Sequence, residues 1–221
     1  MAVNYNSKIV TDGLVLCLDA ANRKSYPGSG TTWIDLSGRG NNGAIANSPI
    51  FSANSFTFNG TTQEVDCGNA TNLQITVGSI GAWFAADATN SGYNGIITKQ
   101  LAWGLFVQDN LLVTYDWGNA VGRSTSRTVG NNSWNHVMMT FTETVGTPSN
   151  NARIYLNGNL VLTTTVKHFD HTVTVQIGEG NATPLGQFFG GKISAAYVYN
   201  RVLTEAEIRQ NFNALRGRYG I

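Results

Sequence analysis

Apolar side chains recur at period two over many short runs of this chain, and at helical spacing only near its end. Period two is the mark of a strand with one covered face, because successive strand side chains point to opposite sides. Trp134–Phe141 puts Val137, Met139 and Phe141 on one face, and Thr172–Ile177 puts Val173, Val175 and Ile177 inward. Leu14–Asp19 is apolar almost throughout, which predicts a strand covered on both faces. Further strands are predicted over Ser55–Phe58, Gln63–Asp66, Ser79–Ala86, Gly95–Thr98, Gly104–Gln108, Leu111–Tyr115, Arg153–Leu156 and Leu160–Val166. Asn59–Gly60, Asp109–Asn110 and Asn157–Gly158 read as hairpin turns, the last suited to the twist-matched type I′ geometry.

The end of the chain organises the rest. Ile193, Ala195, Tyr197 and Tyr199 fall on one face of a strand, and a helix is predicted over 203–216. Thr204 and Glu207 form a capping box, Ile208, Phe212 and Leu215 make one apolar stripe, and Gly217 sits where the helix should stop. A helix this short needs a sheet to dock on. About a dozen strands, one helix and no internal repeat predict an all-β, two-sheet antiparallel jelly-roll sandwich with one short C-terminal helix. The expected organisation is an N-terminal arm over residues 1–12 and a single domain over 13–221. Ala2–Ile9 is polar and lacks strand alternation, so this arm is expected to order on a neighbouring subunit.

Composition narrows the class. Charged residues make up 12% and the net charge is +1, with no basic tract, which argues against a nucleic-acid partner. The 25 glycines among many Asn, Thr and Ser fit a turn-rich β protein. Cys17 and Cys67 have neither disulfide-framework nor metal spacing, and are expected to be buried free thiols. No secretory signal and no bilayer-spanning apolar run is present, so neither export nor membrane insertion is expected.

Five segments, in order, resemble one superfamily. They are Gly13–Ala20; Trp33–Gly38 with Asn41–Asn42–Gly43; Trp134–Val137; Ile154–Gly158; and Gly191 through Arg201 to the Thr204 helix. They are similar to the laminin G-like/pentraxin-like domains of the concanavalin A-like lectin/glucanase superfamily. The opening and closing segments look most like the version found in structural proteins of tailed bacteriophages. The resemblance implies a concanavalin A-like fold and, since that sandwich hosts lectins, glycanases and virion proteins, leaves function open. It also implies that calcium can sit at one rim. Asp35 with Asn41 and Asn42, joined by Asp66, holds the matching position, and an Asx-turn network without metal is the alternative.

Other chemistry is sparse. Glu64-x-Asp66 has the alternate-position spacing of glycanase carboxylates, but no third acid accompanies it, and an edge strand with solvated acids is preferred. No Gly-x-Ser-x-Gly elbow exists, His136 reads as a packing residue, and His168-x-x-His171, with Asp170 between, would turn its two rings to opposite sides of an extended segment with no third ligand, so metal binding there is the minority reading. For glycan binding, an aromatic platform beside polar groups is needed. Tyr93, Trp103, Tyr115 and Trp117 are the aromatic candidates, with Asp116, Trp117 and Asn119 the most suggestive group and a loop anchor or subunit contact the alternative. The expectation is a non-enzymatic structural or adhesion protein of a phage virion, as head decoration, fibre or tail module, assembled in the host cytoplasm. Its expected partners are other virion proteins, copies of itself and host surface glycan. The alternative is a calcium-dependent carbohydrate-binding lectin.

Overall fold

The structure, a computed structural model, describes residues 8–88, 91–142, 150–167, 172–180 and 186–221. In chain order the strands are β1 (Leu14–Asp19), β2 (Thr32–Trp33), β3 (Gly43–Ala46), β4 (Ile50–Ser52), β5 (Ser55–Asn59), β6 (Glu64–Asp66), β7 (Gly78–Ala86) and β8 (Asn94–Lys99). Then come β9 (Trp103–Gln108), β10 (Leu111–Asp116), β11 (Val121–Thr128), β12 (Asn135–Phe141), β13 (Ala152–Leu156), β14 (Asn159–Thr164), β15 (Val175–Ile177) and β16 (Gly190–Tyr199), with helix α1 (Glu205–Tyr219) last. They form two eight-stranded antiparallel sheets, the jelly-roll sandwich that the alternation predicts. The first sheet has the order β14-β13-β12-β7-β16-β5-β4, with β1 also paired to β16. The second has the order β11-β10-β9-β8-β15-β6-β3-β2.

One core lies between the sheets. Leu16, Leu18, Phe84, Val137, Met139 and Phe141 of the first sheet face Trp33, Val65, Ile97, Trp103, Leu105 and Ile177 of the second. A smaller core lies between the first sheet and α1, where Leu14, Cys17, Trp83, Tyr197 and Tyr199 meet Leu203, Ile208, Phe212 and Tyr219. β1 contributes to both, which accounts for its unbroken apolar run. Cys17 and Cys67 are free and buried, as expected. Burial, with the charges of Asp19 and Asp35, pushes the Cys17 thiol up to about 12, which makes it unreactive at neutral pH.

The capping box of α1 is present: the Glu207 N–H donates to Thr204 Oγ1 and the Thr204 N–H donates to the Glu207 carboxylate at 2.8 Å. The helix runs further than its sequence suggests. Gly217 lies inside it, and Gly220, at φ 73°, is the left-handed cap. Packing explains the extra turn, since the Tyr219 ring stacks on Trp83 with centroids 4.1 Å apart.

Two other expectations give way. The alternation of β16 is not continuous: a bulge between Ile193 and Ala195 puts Ile193, Ala196 and Val198 in the sandwich core and Ala195, Tyr197 and Tyr199 under the helix. At the same bulge the neighbour of β16 changes from β5 to β1. Asn59–Gly60 does not close a hairpin, because β5 belongs to the first sheet and β6 to the second. Asn59 instead accepts the N–H groups of Thr61 and Thr62 and turns the chain from one layer to the other. The other two hairpins form, with Asp109 and Asn110, and Asn157 and Gly158, all at positive φ.

The described part of the N-terminal segment rests on the chain's own helix. Asn211 Oδ1 accepts the Val10 N–H at 2.8 Å, and the Tyr199 hydroxyl donates to the Val10 carbonyl. Residues 1–7, and His168, Asp170 and His171, lie outside the described residues.

Candidate functional site

The outer face of the second sheet, away from both cores, carries the site. On β9, Leu105 and Val107 point into the core, so Phe106 points out; on β10, Leu112 points in, and Val113 and Tyr115 point out. Glycines clear the floor. A β-carbon on Gly104 would stand 2.7 Å from the Phe106 ring, and one on Gly122 would stand 2.4 Å from the Tyr93 hydroxyl. Four rings then meet in a cycle. Tyr93 is edge-on to Tyr115 at 5.0 Å and to Phe106 at 6.0 Å, while Trp117 lies 5.4 Å from Tyr115 and 6.1 Å from Phe106. They line a cavity of about 310 Å³ together with Gln100, Leu101, Gly180 and Gln187.

The far wall is a backbone ribbon between β15 and β16. The Gly95 N–H donates to the Gln187 carbonyl at 3.1 Å, the Gly180 N–H to the same oxygen at 2.9 Å, and the Thr98 hydroxyl to the Glu179 carbonyl at 2.7 Å. This ribbon divides the sheet face in two. On its far side Glu64 and Asp66 stand at alternate positions on β6, beside Gln176 of β15, whose Nε2 donates to the Glu64 carboxylate at 3.0 Å.

The acids differ from what their spacing suggests. β6 lies inside the sheet, between β3 and β15, so Glu64 and Asp66 are not on an edge. A third carboxyl joins them: Glu179 is 3% exposed and hydrogen-bonds with Glu64. Burial, then Glu64 and Asp66, pushes Glu179 far above the carboxylate range, to about 8, against the opposing hydrogen bond from Gln176. At neutral pH the Glu179 carboxyl therefore keeps its proton, within hydrogen-bond reach of Glu64. None of the three acids lines the aromatic cavity.

Of the residues singled out from sequence, Trp117, Tyr93 and Tyr115 line the cavity, whereas Trp103 is fully buried in the main core. Asp116 and Asn119 hold the turn instead of lining the cavity. Asp116 accepts from Asn119 Nδ2 at 2.8 Å, from Arg123 at 2.8 Å and from the Lys167 N–H at 3.1 Å. Burial raises the Asp116 carboxyl, but these hydrogen bonds and the Arg123 charge outweigh it and hold it below the usual range. The turn thereby fixes Trp117 over Phe106.

Asp35, Asn41 and Asn42 come together in one loop. The Asp35 carboxylate accepts from the N–H groups of Cys17, Ser37 and Asn41, at 2.8 to 3.0 Å, and from the Ser37 hydroxyl at 2.7 Å. Asn42 Oδ1 accepts the Asp35 N–H, and Asn41 Nδ2 donates to the Val15 carbonyl and to Asn72. A calcium ion here would compete with four donors for one carboxylate, so this donor set does not suit that ion. Asp66, on β6, accepts the Gly68 N–H at 2.7 Å. Among the described residues, no three His, Cys, Asp or Glu side chains converge as a metal site.

Residues 59–209 match the laminin G-like family described as the concanavalin A-like lectin/glucanases superfamily. The chain belongs to that superfamily. No curated protein matches it in sequence. Among solved structures, a Trypanosoma rangeli sialidase in complex with a difluoro-KDN is similar at a TM-score of 0.73 and 18% identity, over 99% of this chain and 36% of that one. The binding domain of Paraclostridial Mosquitocidal Protein 1 is similar at a TM-score of 0.66 and 16% identity, over 92% of this chain and 52% of that one. The binding domain of botulinum neurotoxin serotype D/C follows at 0.63 and 21%, over 93% and 53%. The chain thus spans from about a third to about half of these proteins' lengths, and at such identities the likeness is one of fold.

Proposed function

We propose that this superfamily member is a non-catalytic adhesion module that takes the end of a surface glycan into the aromatic cavity, and that it is carried on a phage particle beside other virion proteins or further copies of itself. The observation that carries the binding half is the four-ring cavity with two amide side chains in its lining. Aromatic faces stack on the C–H side of a sugar ring, while amides and phenols answer its hydroxyls. The two toxin binding domains of similar fold support a binding role. The virion setting rests on the sequence resemblance.

One observation favours a second reading, a glycan hydrolase. The Glu64–Glu179 pair brings two carboxyls into hydrogen-bond contact with Glu179 keeping its proton at neutral pH, and paired carboxyls are the equipment of acid/base chemistry on sugars. Against it stand the burial of Glu179 and the absence of these acids from the cavity lining.

A glycan array read with and without EDTA tests the proposal. Saturable binding that is insensitive to EDTA, with no loss of ligand over time, is expected. Binding that vanishes with EDTA would favour the calcium-dependent lectin, and turnover of β-glucans abolished by Glu64→Gln would favour the hydrolase.

A further inference from the structure

We infer that the cavity takes one uncharged pyranose, a neutral hexose or N-acetylhexosamine end, and rejects sialic acid and other anionic sugars; this rests on the glycan-binding reading above. The lining residues set the sign. Tyr93, Phe106, Tyr115 and Trp117 supply apolar surface, and Gln100 and Gln187 supply amides that both donate and accept. No Arg or Lys is among them. A sugar carboxylate entering this space would lose its water without gaining a counter-ion, and burial of an unpaired charge is strongly unfavourable.

Among the described residues, the surroundings offer an anion no free cation. Of the two arginines on the adjoining strand β11, Arg123 is held 2.8 Å from the Asp116 carboxylate and Arg127 lies toward the far end of the strand from Gly122; neither lines the cavity. The Lys167 side chain lies along Gly118, behind the Trp117 turn, and its residue is absent from the lining. Beyond the ribbon the face is acidic, with Glu64 and Asp66 flanking Glu179. Burial, with Tyr93 and Asp116 nearby, also pushes the Tyr115 phenol up, so at neutral pH it keeps its proton and remains a neutral donor. Hydroxyl groups, each a donor and an acceptor, match amides and phenols without any net charge.

Size sets the number of rings. At about 310 Å³ the cavity is at the small end of ligand sites, enough for one terminal sugar and not for an extended chain.

A matched panel tests this: oligosaccharides ending in glucose, galactose, mannose, N-acetylglucosamine or N-acetylgalactosamine, each presented bare and capped with sialic acid, against the full chain. At least one bare end is expected to bind, with its capped partner weaker by about tenfold or more. Trp117→Ala and, as a gentler change, Gln187→Ala should each weaken the bare ligand. Equal or tighter binding of a sialylated ligand would overturn the inference and leave the glycan-binding reading standing. Bare ends that bind both variants as tightly as the wild type would remove the cavity as the site. No binding anywhere in the panel would defeat both.

Discussion

The carbonyl carbon and oxygen of Glu179 lie 2.3 and 2.2 Å from where a β-carbon of Gly95 would stand. That single approach lets the ribbon lie flat on β8, and so forms the wall that Gly180 and Gln187 give the cavity. Gly95→Ala should therefore lift the ribbon. The expected result is a destabilisation of about 1 to 3 kcal/mol, the usual cost of overpacking, with a larger loss of ligand affinity. Thermal melts alongside binding isotherms measure both. Unchanged affinity would show that the ribbon does not shape the site.

The Glu64–Glu179 pair makes stability depend on pH in an unusual direction. Folded Glu179 holds its proton up to about 8, whereas in the unfolded chain it gives it up near the ordinary glutamate value of 4.5. Between those values the native state binds more protons than the unfolded one, so this group's contribution falls as pH rises. Glu179→Gln keeps an amide in place and cannot ionise. Urea midpoints from pH 5 to 8.5 should decline more in the wild type than in this variant, and parallel curves would contradict the pairing.

His136 and Glu207 act at the acid end. His136 is fully buried beneath α1, 5.0 Å from the Trp83 ring and 6.0 Å from Phe212, and burial lowers its imidazole to about 3. Arg201 beside Glu207, chiefly through its hydrogen bond, lowers that carboxyl to about 2. Both folded values are depressed, so stability is present above 6.5 and 4.5 respectively and is lost as pH falls toward the folded values. Neither imidazole nitrogen has a partner among the described residues. His136→Leu should thus cost little at pH 7 and flatten the melting-temperature profile between pH 6.5 and 4.

Helix docking gives a size comparison. Tyr219 stacks on Trp83 at 18° between planes and donates to Ser194 at 2.9 Å, while Thr204 only caps. Tyr219→Ala should cost about 3 kcal/mol or more, and Thr204→Ala about 1 kcal/mol, by denaturant titration. A reversal of that order would mean the cap, and not the stacked ring, holds the helix.

EDTA offers a plain test of the Asp35 loop. With its carboxylate already accepting four hydrogen bonds, the melting temperature should not move on chelation or on adding millimolar calcium. A calcium-dependent rise would establish a metal there.

What the sequence revealed follows from interaction range. The capping box and the Asn157–Gly158 and Asp109–Asn110 turns are local chemistry and were legible. The flip of β16 at its bulge was not, because Ala195 and Ala196 are both small and apolar and either could face inward. β11 was missed altogether, since Val121–Thr128 is polar and half-exposed on an edge. Within the site, Tyr93, Tyr115 and Trp117 could be named as aromatics near polar loops. Trp103 could not be separated from them without the pairing of Trp103 to Lys99, which turns it inward. Phe106 was recoverable, as it falls out of phase with Leu105 and Val107. Glu179 was not, being 115 residues from Glu64 in sequence (179 − 64) and brought there only by the sheet.

The central claim is that the ring-lined cavity, and not the acid pair across the ribbon, is where this protein meets its ligand. Calorimetric titration of one array-selected glycan into the wild type, Trp117→Ala and Glu64→Gln decides it. Binding should be lost in the tryptophan variant and preserved in the glutamine variant; the opposite pattern would place the ligand at the acid pair and contradict a site in the cavity.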